Sequence, residues 1–319
     1  MLEIGSIGTS AIMETAQQAI RLTDGLHCGC VYSRDPGRGA AFAGRMGIPK
    51  SCHTLEDLIR DPEIGAIYIA SPNTLHPGQA IAAMAYSKHV LVEKPAAVTA
   101  GALEAMIRAA EENHVFFFEC ITTLFMPTYR RWKALLPELG QITGVDMRYG
   151  QYSSRMEAYR RGENPNNFNP EMGGGALNDL GIYCVHTAVD LFGVPEALSY
   201  QAKRGPNGVD LTETLTLTYP GFLCRIHVAK DRDLDSGCTI SGTRGTLESH
   251  GPLNSFSACS VSVNGGRQEF LLPPDENRMI YQFARFRDAI AANDSSFFRQ
   301  MCRQSLAAAR ILEQAHGAC

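Results

Sequence analysis

The sequence predicts two domains of different class. Residues 1–120 are expected to form an α/β domain with a doubly wound parallel sheet, and residues 121–319 an α+β domain with a large open, mostly antiparallel sheet. The length of 319 residues suits two hydrophobic cores better than one. Up to about residue 120, short apolar runs alternate with helical patterns, whereas the later runs alternate apolar and polar residues.

The first domain is predicted from apolar strands that are separated by amphipathic helices. This pattern is typical of a parallel sheet that helices cover on both faces. The predicted strands are LEIGSI (2–7), CGCVYS (28–33), GAIYIAS (65–71), HVLVEK (89–94) and VFFFE (115–119), and the helices between them include IAAMAYS and ALEAMIRAAEEN.

The second domain is predicted from period-two alternation and tight turns, which favour an antiparallel or mixed sheet. Its strands are expected in ITGVDMRYGQYS, LTETLTLTY, FLCRIHVAK, CTISGT and GTLES, with turns at YPGF and GTRG. A helix in PTYRRWKALLPELG precedes them, and two helices near residues 279–292 and 297–315 close the chain.

Composition narrows the function classes. The net charge of −4 gives no basic surface typical of nucleic-acid binding, and no apolar run approaches the ~20 residues that cross a bilayer. We therefore expect neither nucleic acid nor membrane as a partner. The ten cysteines form no Cys-x-x-Cys pair, so we expect no disulfide framework, no metal site and a reducing cytoplasmic location.

A glycine turn, GSIGTSAIM, follows the first predicted strand. Such a turn directs backbone N–H groups and a helix amino terminus at a phosphate. We expect a dinucleotide to bind at Gly8, Thr9, Ser10, Ala11 and Ile12, although Ser10 departs from the usual Gly-x-Gly-x-x-Gly pattern. The alternative is an ordinary strand-to-helix turn.

The second strand ends in Ser-Arg-Asp. Ser33 and Arg34 suit the 2′-phosphate of NADP, because a guanidinium pairs well with an anion. The alternative is that Asp35 binds the ribose of NAD while Arg34 is a solvated loop residue. We expect NADP, with NAD possible.

Two more loops follow predicted core strands, at the sheet edge where ligands bind. In ASPNTLH we expect Ser71, Pro72, Asn73 and His76 to contact the cofactor, with a structural first-turn role as the alternative for His76. In VLVEKPA we expect Glu93 and Lys94 at the same edge, where a lysine can polarise a carbonyl or favour an ionised hydroxyl. The alternative is a surface Lys–Glu pair.

The stretch GGGALNDLGIYCVH places Asp179, Tyr183 and His186 at offsets of four and seven, on one face of a helix that we expect to begin near Ala176. The glycines, Gly173 to Gly175, would allow close approach to the nicotinamide, or form a flexible lead-in. The alternative for Asp179 and Tyr183 is that they only cap a buried helix.

VEKP, ASPNTLH and GGGALNDLGIY together resemble the Gfo/Idh/MocA family of NAD(P)-dependent oxidoreductases over nearly the whole chain. The resemblance implies a Rossmann domain followed by an open-sheet domain that carries the substrate site. It implies that Lys94 is the catalytic lysine and that Asp179 and Tyr183 form the Asp-x-x-x-His/Tyr pair. In having tyrosine at position 183, this sequence resembles the dihydrodiol dehydrogenase and glucose-fructose oxidoreductase branches of the family. By the same resemblance, His186 is not the family's catalytic histidine.

We therefore expect an NADP(H)-dependent oxidoreductase that acts on a small sugar, polyol or trans-diol. Tyrosine titrates near ~10, so Tyr183 needs a neighbouring cation such as Lys94 to act as acid and base, with Asp179 orienting. The resemblance also implies a homodimer or higher oligomer through the outer face of the second sheet. Two alternatives stay open: a non-catalytic NADP-binding sensor, and a sugar–sugar oxidoreductase that keeps its cofactor bound.

Other polar residues are weaker substrate candidates. We expect Thr122, Arg155 and His186 to contact the substrate, and Glu119 and Thr123, in the same ECITTLFMP stretch as Thr122, to face the ligand. Packing is an equally good account of each, because nothing in their spacing requires chemistry. The Asn- and Pro-rich loop at residues 160–171 is long enough to be a lid or a subunit contact.

Overall fold

The computed structural model describes residues 1–271 and 277–317. The chain divides into two compact units. The first unit comprises Met1–Cys120 and Asn277–Leu306, and the second comprises Ile121–Glu276 and Ala307–Cys319. Residues 277–306 thus return to the first unit after the chain has formed the sheet of the second.

The first unit contains a six-stranded parallel sheet in the order β3-β2-β1-β4-β5-β6. The predicted doubly wound α/β fold is confirmed. The strands are β1 (Leu2–Ile7), β2 (Leu26–Tyr32), β3 (Lys50–Cys52), β4 (Ala66–Ile69), β5 (His89–Glu93) and β6 (Phe117–Cys120), and the helices among them are α1 (Ala11–Leu22), α2 (Pro36–Met46), α3 (Leu55–Arg60), α4 (His76–Ala85) and α5 (Ala100–Glu112).

The order of the strands reverses at β1, which pairs with β2 on one side and with β4 on the other. Ligands of open α/β sheets bind outside the carboxyl ends of the strands at such a point. All four residues of β4 are buried, as expected for a strand that is covered on both faces. Aromatic packing joins the sheet to a later helix, since Phe118 stacks on Phe286 with ring centroids 4.6 Å apart.

The second unit contains an eight-stranded sheet in the order β14-β13-β12-β11-β7-β10-β9-β8, in which only β7 and β10 pair in parallel. The predicted open, mostly antiparallel sheet is confirmed. Its strands are β7 (Ile142–Gly150), β8 (Ala197–Arg204), β9 (Asp210–Tyr219), β10 (Phe222–Ala229), β11 (Gly237–Gly242), β12 (Gly245–His250), β13 (Ala258–Val263) and β14 (Gly266–Leu271).

The remaining helices are α6 (Pro127–Ala134), α7 (Met156–Arg160), α8 (Ile182–Phe192), α9 (Met279–Ala291) and α10 (Ser295–Gly317). A single turn of π-helix, Leu177–Gly181, directly precedes α8, and we call it the π-turn. Helical backbone begins at Ala176, as the sequence predicted, and continues through the π-turn into the regular α-helix from Ile182. In the described ranges, no helix combines the length and apolar character that a membrane span requires.

Candidate functional site

The turn after β1 is shaped by Gly8. Its φ of +120° is one that residues with side chains rarely adopt, and a Cβ there would lie 2.8 Å from the carbonyl oxygen of Ala70. Ser10 is the N-cap residue of α1, but its side chain makes no capping hydrogen bond. The amino-terminal N–H groups of a helix have no partner within the helix and favour an anion. The residues predicted to bind pyrophosphate thus form a cradle that a side chain at position 8 would fill.

The loop after β2 assigns different tasks to its three polar residues. Asp35 caps α2, since its carboxylate accepts a hydrogen bond from the backbone N–H of Arg38 at 3.0 Å. The Ser33 hydroxyl accepts a hydrogen bond from the Asp35 N–H at 3.3 Å, and Arg34 is exposed. The Asp35 carboxylate thus has a structural role as a cap, whereas Arg34 is exposed at the end of β2.

His76 joins the loops that follow β4 and β5. Its ring nitrogens lie 2.9 Å from the Ser71 carbonyl and 3.0 Å from the Pro95 carbonyl, and the ring is fully buried. Burial lowers the pKa of His76, and this effect outweighs the two carbonyls, which raise the pKa because they favour the protonated ring. Both ring nitrogens of His76 thus contact backbone carbonyls, and its contact with the cofactor stays a prediction.

The end of β5 carries Glu93 and Lys94. Glu93 is buried and accepts a hydrogen bond from the Tyr68 hydroxyl at 2.6 Å, and burial raises the pKa of its carboxyl group. Lys94 is half-buried. Glu119 at the end of β6 accepts a hydrogen bond from the Ala96 N–H at 2.8 Å. The loop that carries Lys94 is thus fixed by its neighbours.

Ser71, Pro72 and Asn73 lie half-buried at the end of β4. The Ser71 hydroxyl donates a hydrogen bond to Gln79 Oε1 at 2.6 Å. Pro72 precedes a 3₁₀ turn that begins at Asn73. These residues share the carboxyl edge of the first sheet with the Gly8 turn, as the sequence predicted for a cofactor site.

In the second unit, the glycines before the π-turn allow close packing. Gly175 has a φ of +130°, and a Cβ there would clash with Asp210 Oδ1. Asp210 accepts a hydrogen bond from the Leu177 N–H at 2.7 Å, and the Gly175 N–H donates to the Asn167 carbonyl at 3.2 Å. Neighbouring protein atoms therefore require a glycine at position 175. The sequence alone did not reveal this reason.

The π-turn carries Asp179, whose carboxylate is held by a lysine that the sequence analysis missed. Lys230 Nζ lies 2.9 Å from Asp179 Oδ2 and 2.6 Å from the Asn167 carbonyl oxygen, and 4.5 Å from the Phe168 ring centroid. The Lys230 side chain is 1% exposed. A π-turn inside a helix is frequently found at a functional site.

A sequence signal for Lys230 exists. Residues two apart on a strand point to the same face, so Lys230 continues the buried row of Cys224, Ile226 and Val228 in β10. A lysine on the apolar face of an alternating strand requires a buried partner.

Tyr183 lies in the first turn of α8 and is 8% exposed, with its ring centroid 6.1 Å from that of Tyr149. His186, one turn later, is completely buried. Lys94 belongs to the first unit, whereas Asp179 and Tyr183 belong to the second. The second unit therefore places an acidic residue and a tyrosine four positions apart, across the junction of the π-turn and α8.

The weaker substrate candidates differ in their surroundings. The Thr122 hydroxyl donates a hydrogen bond to the Asn254 carbonyl at 3.4 Å, and Thr123 donates to the Leu253 carbonyl at 2.7 Å. Both threonines thus attach their segment to a later loop. Arg155 is exposed and immediately precedes α7.

A buried acidic residue of β9 packs against the π-turn. Glu213 of β9 accepts a hydrogen bond from the Tyr200 hydroxyl at 2.7 Å. Burial, and the nearby carboxylate of Asp210, raise the pKa of Glu213 well above its usual range. A Cβ at Gly181 would lie 2.9 Å from Glu213 Oε1, so the last residue of the π-turn packs directly on this acid.

The chain was compared with known proteins. Residues 2–120 match the family model described as an oxidoreductase family with an NAD-binding Rossmann fold, and residues 129–248 match the GFO/IDH/MocA C-terminal domain. The chain is 32% identical over 316 residues to scyllo-inositol 2-dehydrogenase (NADP(+)) of Bacillus subtilis, covering 99% of this chain and 96% of that protein. It is 32% identical over 253 residues to human trans-1,2-dihydrobenzene-1,2-diol dehydrogenase, covering 76% and 72%.

Solved structures share the fold. A 3-ketoreductase from Actinomadura kijaniata in complex with NADP and TDP-benzene superposes with a TM-score of 0.87 at 19% identity, covering 99% of this chain and 97% of that one. A levoglucosan dehydrogenase in complex with NADH and levoglucosan gives a TM-score of 0.85 at 22% identity, covering 100% and 98%. With both family domains matched in order, this chain belongs to the Gfo/Idh/MocA family of oxidoreductases, as its motifs predicted.

Proposed function

We propose that this protein is an NADP(H)-dependent oxidoreductase that transfers a hydride between the nicotinamide and a small cyclic polyol, sugar or trans-diol, or the corresponding carbonyl. The observation that carries the proposal is the carboxyl edge of the first sheet, where the Gly8 cradle and Lys94 both lie. Two relatives support the substrate class, because their names specify an inositol and a dihydrobenzenediol, both of which carry hydroxyl groups on a six-membered carbon ring.

The residues of the first unit fit the cofactor. The Gly8 turn leaves room where a side chain would contact the Ala70 carbonyl, and the amino terminus of α1 offers backbone N–H groups to a pyrophosphate. Exposed Arg34 follows β2, where a 2′-phosphate is recognised in this fold. This donor set supports NADP rather than NAD.

When bound, the nicotinamide supplies an acceptor for the hydride, or the donor in the reverse direction. During oxidation of an alcohol, the carbon–hydrogen bond breaks and the hydrogen leaves with its electron pair, while the hydroxyl proton passes to the Tyr183 oxygen. Lys94 stabilises the negative charge that develops on the substrate oxygen. Asp179 orients a hydroxyl group of the substrate. In reduction, Tyr183 returns the proton to the carbonyl oxygen.

The experiment is an NADP(H)-linked absorbance assay with a panel of inositols, cyclic trans-diols, sugars and their ketones. We expect turnover of at least one ring polyol or diol, and a loss of about 10²- to 10⁴-fold in kcat for Tyr183→Phe, the range of general acid–base catalysis. Tyr86→Phe, which changes a partly exposed tyrosine elsewhere in the first unit, is the matched control. Equal rates for Tyr183→Phe and the wild type would contradict the role of Tyr183.

Assembly and location complete the proposal. We infer a homodimer that forms through the face of the second sheet opposite α8, where half-exposed residues such as Thr214, Thr216 and His227 alternate with buried ones. All nine cysteines in the described ranges are free thiols, which supports a reducing compartment such as the cytoplasm. Light scattering during size-exclusion chromatography tests the dimer.

A further inference from the structure

Lys230 is a deeply buried cation that contacts a residue of the candidate site, Asp179. It follows the last residue of β10, and its backbone is fixed on both sides: its N–H donates to the Leu211 carbonyl at 2.7 Å, and its carbonyl accepts from the Ser153 N–H at 3.0 Å. The side chain is 1% exposed. Neither the motifs nor the family resemblance assigns it a role.

The ammonium group of Lys230 has three interactions, each with a different kind of group. These are the Asp179 carboxylate at 2.9 Å, the Asn167 carbonyl at 2.6 Å and the face of the Phe168 ring at 4.5 Å. Burial of an ammonium ion costs several kcal/mol unless such partners compensate for the lost water. The sequence therefore keeps a charge here at a cost, although an apolar residue would continue the row of β10 side chains.

The three partners come from two segments, and Lys230 comes from a third. Asn167 and Phe168 belong to a 3₁₀ turn at Asn166–Phe168, Asp179 belongs to the π-turn, and Lys230 directly follows β10. The same 3₁₀ turn accepts the Gly175 N–H through the Asn167 carbonyl. Lys230 Nζ thus links the π-turn to the 3₁₀ turn at the carboxyl end of β10 and contacts one oxygen of the Asp179 carboxylate.

We propose that Lys230 is a positioning residue of the oxidoreductase: it holds the Asp179 carboxylate in one orientation for the substrate hydroxyl, and acts on the reaction only through Asp179. This inference rests on the proposed function. Besides Lys230, the titratable groups around the π-turn include Tyr149 of β7, Tyr183 of α8, Asp210 and Glu213 of β9, and His316 of α10, whose Nε2 lies 3.3 Å from Asn178 Oδ1. Among these groups, Lys230 contributes the ammonium group that pairs with Asp179.

The test is a double-mutant cycle in kcat/KM with Lys230→Met, Asp179→Asn and the double variant, assayed with the best substrate of the wild type. We expect Lys230→Met to lose about 10- to 100-fold in kcat/KM, the loss that misplacement of a reacting group causes. The loss should lie in kcat and the substrate KM, while the Kd for NADPH stays within about twofold, as expected when remote sites are independent. The kcat/KM of the double variant should lie within about threefold of that of Asp179→Asn.

Lys203→Met is the matched control, since Lys203 of β8 is 69% exposed and pairs with Asp231, the residue after Lys230. It should keep the wild-type kcat/KM. Circular dichroism establishes that each variant is folded at the assay temperature. Lys230→Gln, which keeps a hydrogen-bond donor without the charge, replaces Lys230→Met if that variant does not fold, and failure of both to fold makes Lys230 a structural residue and overturns the proposal.

The outcomes separate the two proposals. A wild type that converts no compound in the panel contradicts the proposed function. An active wild type with an equally active Lys230→Met variant contradicts the role of Lys230 alone. Losses that multiply in the double variant also overturn it, because Lys230 would then act independently of Asp179.

Discussion

Lys230 Nζ lies 2.9 Å from Asp179 Oδ2, yet the two side chains differ in exposure, 1% against 35%. If Lys230 is removed, water can therefore hydrate the Asp179 carboxylate that is left. If Asp179 is removed, water cannot reach the buried Lys230 ammonium group. A charge that is left buried without its partner destabilises the folded state far more than a charge that can be hydrated. The pair is thus energetically asymmetric.

We predict that Asp179→Asn lowers the free energy of unfolding by about 3 kcal/mol, since it leaves the ammonium buried with only neutral partners. Lys230→Met should cost about 1–2 kcal/mol, mainly through the lost charge-assisted hydrogen bond to the Asn167 carbonyl, which keeps only the Gly175 N–H as its donor. Urea unfolding of both variants measures the difference. In Lys203→Met, the exposed control, the change should stay below about 0.5 kcal/mol. A greater cost for Lys230→Met than for Asp179→Asn would contradict this account.

The Gly8 cradle gives a second prediction. Gly8→Ala forces a side chain into a φ of +120° and places its Cβ 2.8 Å from the Ala70 carbonyl oxygen. The strain of about 1–2 kcal/mol should displace the turn and weaken NADPH binding about tenfold or more. Gly44→Ala is the control, because a Cβ at this position of α2 meets open space. Fluorescence titration with NADPH measures both, and equal affinities would show that the Gly8 turn does not hold the cofactor.

The third prediction concerns cofactor choice. Arg34→Ala should raise the Kd for NADP about 10- to 100-fold, the value of a charge-assisted hydrogen bond, and leave the Kd for NAD unchanged. Asp35 should contribute little to this preference, since its carboxylate caps α2. Isothermal titration with both nucleotides gives the ratio, and Arg45→Ala in the last turn of α2 is the control. An NADP-to-NAD ratio that survives Arg34→Ala would exclude Arg34 as the phosphate ligand.

The sequence predicted those parts of the fold that follow from the periodic spacing of apolar and polar residues. The buried runs of β4 and β5 and the alternation in β9 and β10 identify the class of each sheet, because a strand's exposure pattern reflects which of its faces are covered. Periodicity also predicts the closing helices α9 and α10, but it cannot say which unit they pack against, since an amphipathic face fits any apolar surface.

The candidate site was predictable where a motif records local backbone geometry, and less so where long-range contacts decide. Gly8 and Lys94 follow strands, so their place at the sheet edge follows from strand direction. The π-turn shifts Asp179 out of the regular helix that spacing suggested, and its partner Lys230 lies 51 positions later in the chain. The carbonyls that hold His76 belong to two loops, and no local pattern reveals them.

The fourth prediction concerns pH. Burial raises the pKa of Glu213, so the folded protein keeps this proton to higher pH than the unfolded chain, in which glutamate titrates near ~4.3. Between these two pKa values the folded state binds more protons, and stability therefore falls as pH rises, by at most about 1.4 kcal/mol per pH unit.

Glu213→Gln mimics the neutral acid and should remove this slope. Urea unfolding between pH 5 and 8, roughly the span above the unfolded value, should thus show the variant gaining on the wild type as pH increases. Glu196→Gln, an exposed glutamate beside β8, should follow the wild type throughout. Parallel curves for Glu213→Gln and the wild type would mean that Glu213 is ionised in the folded protein.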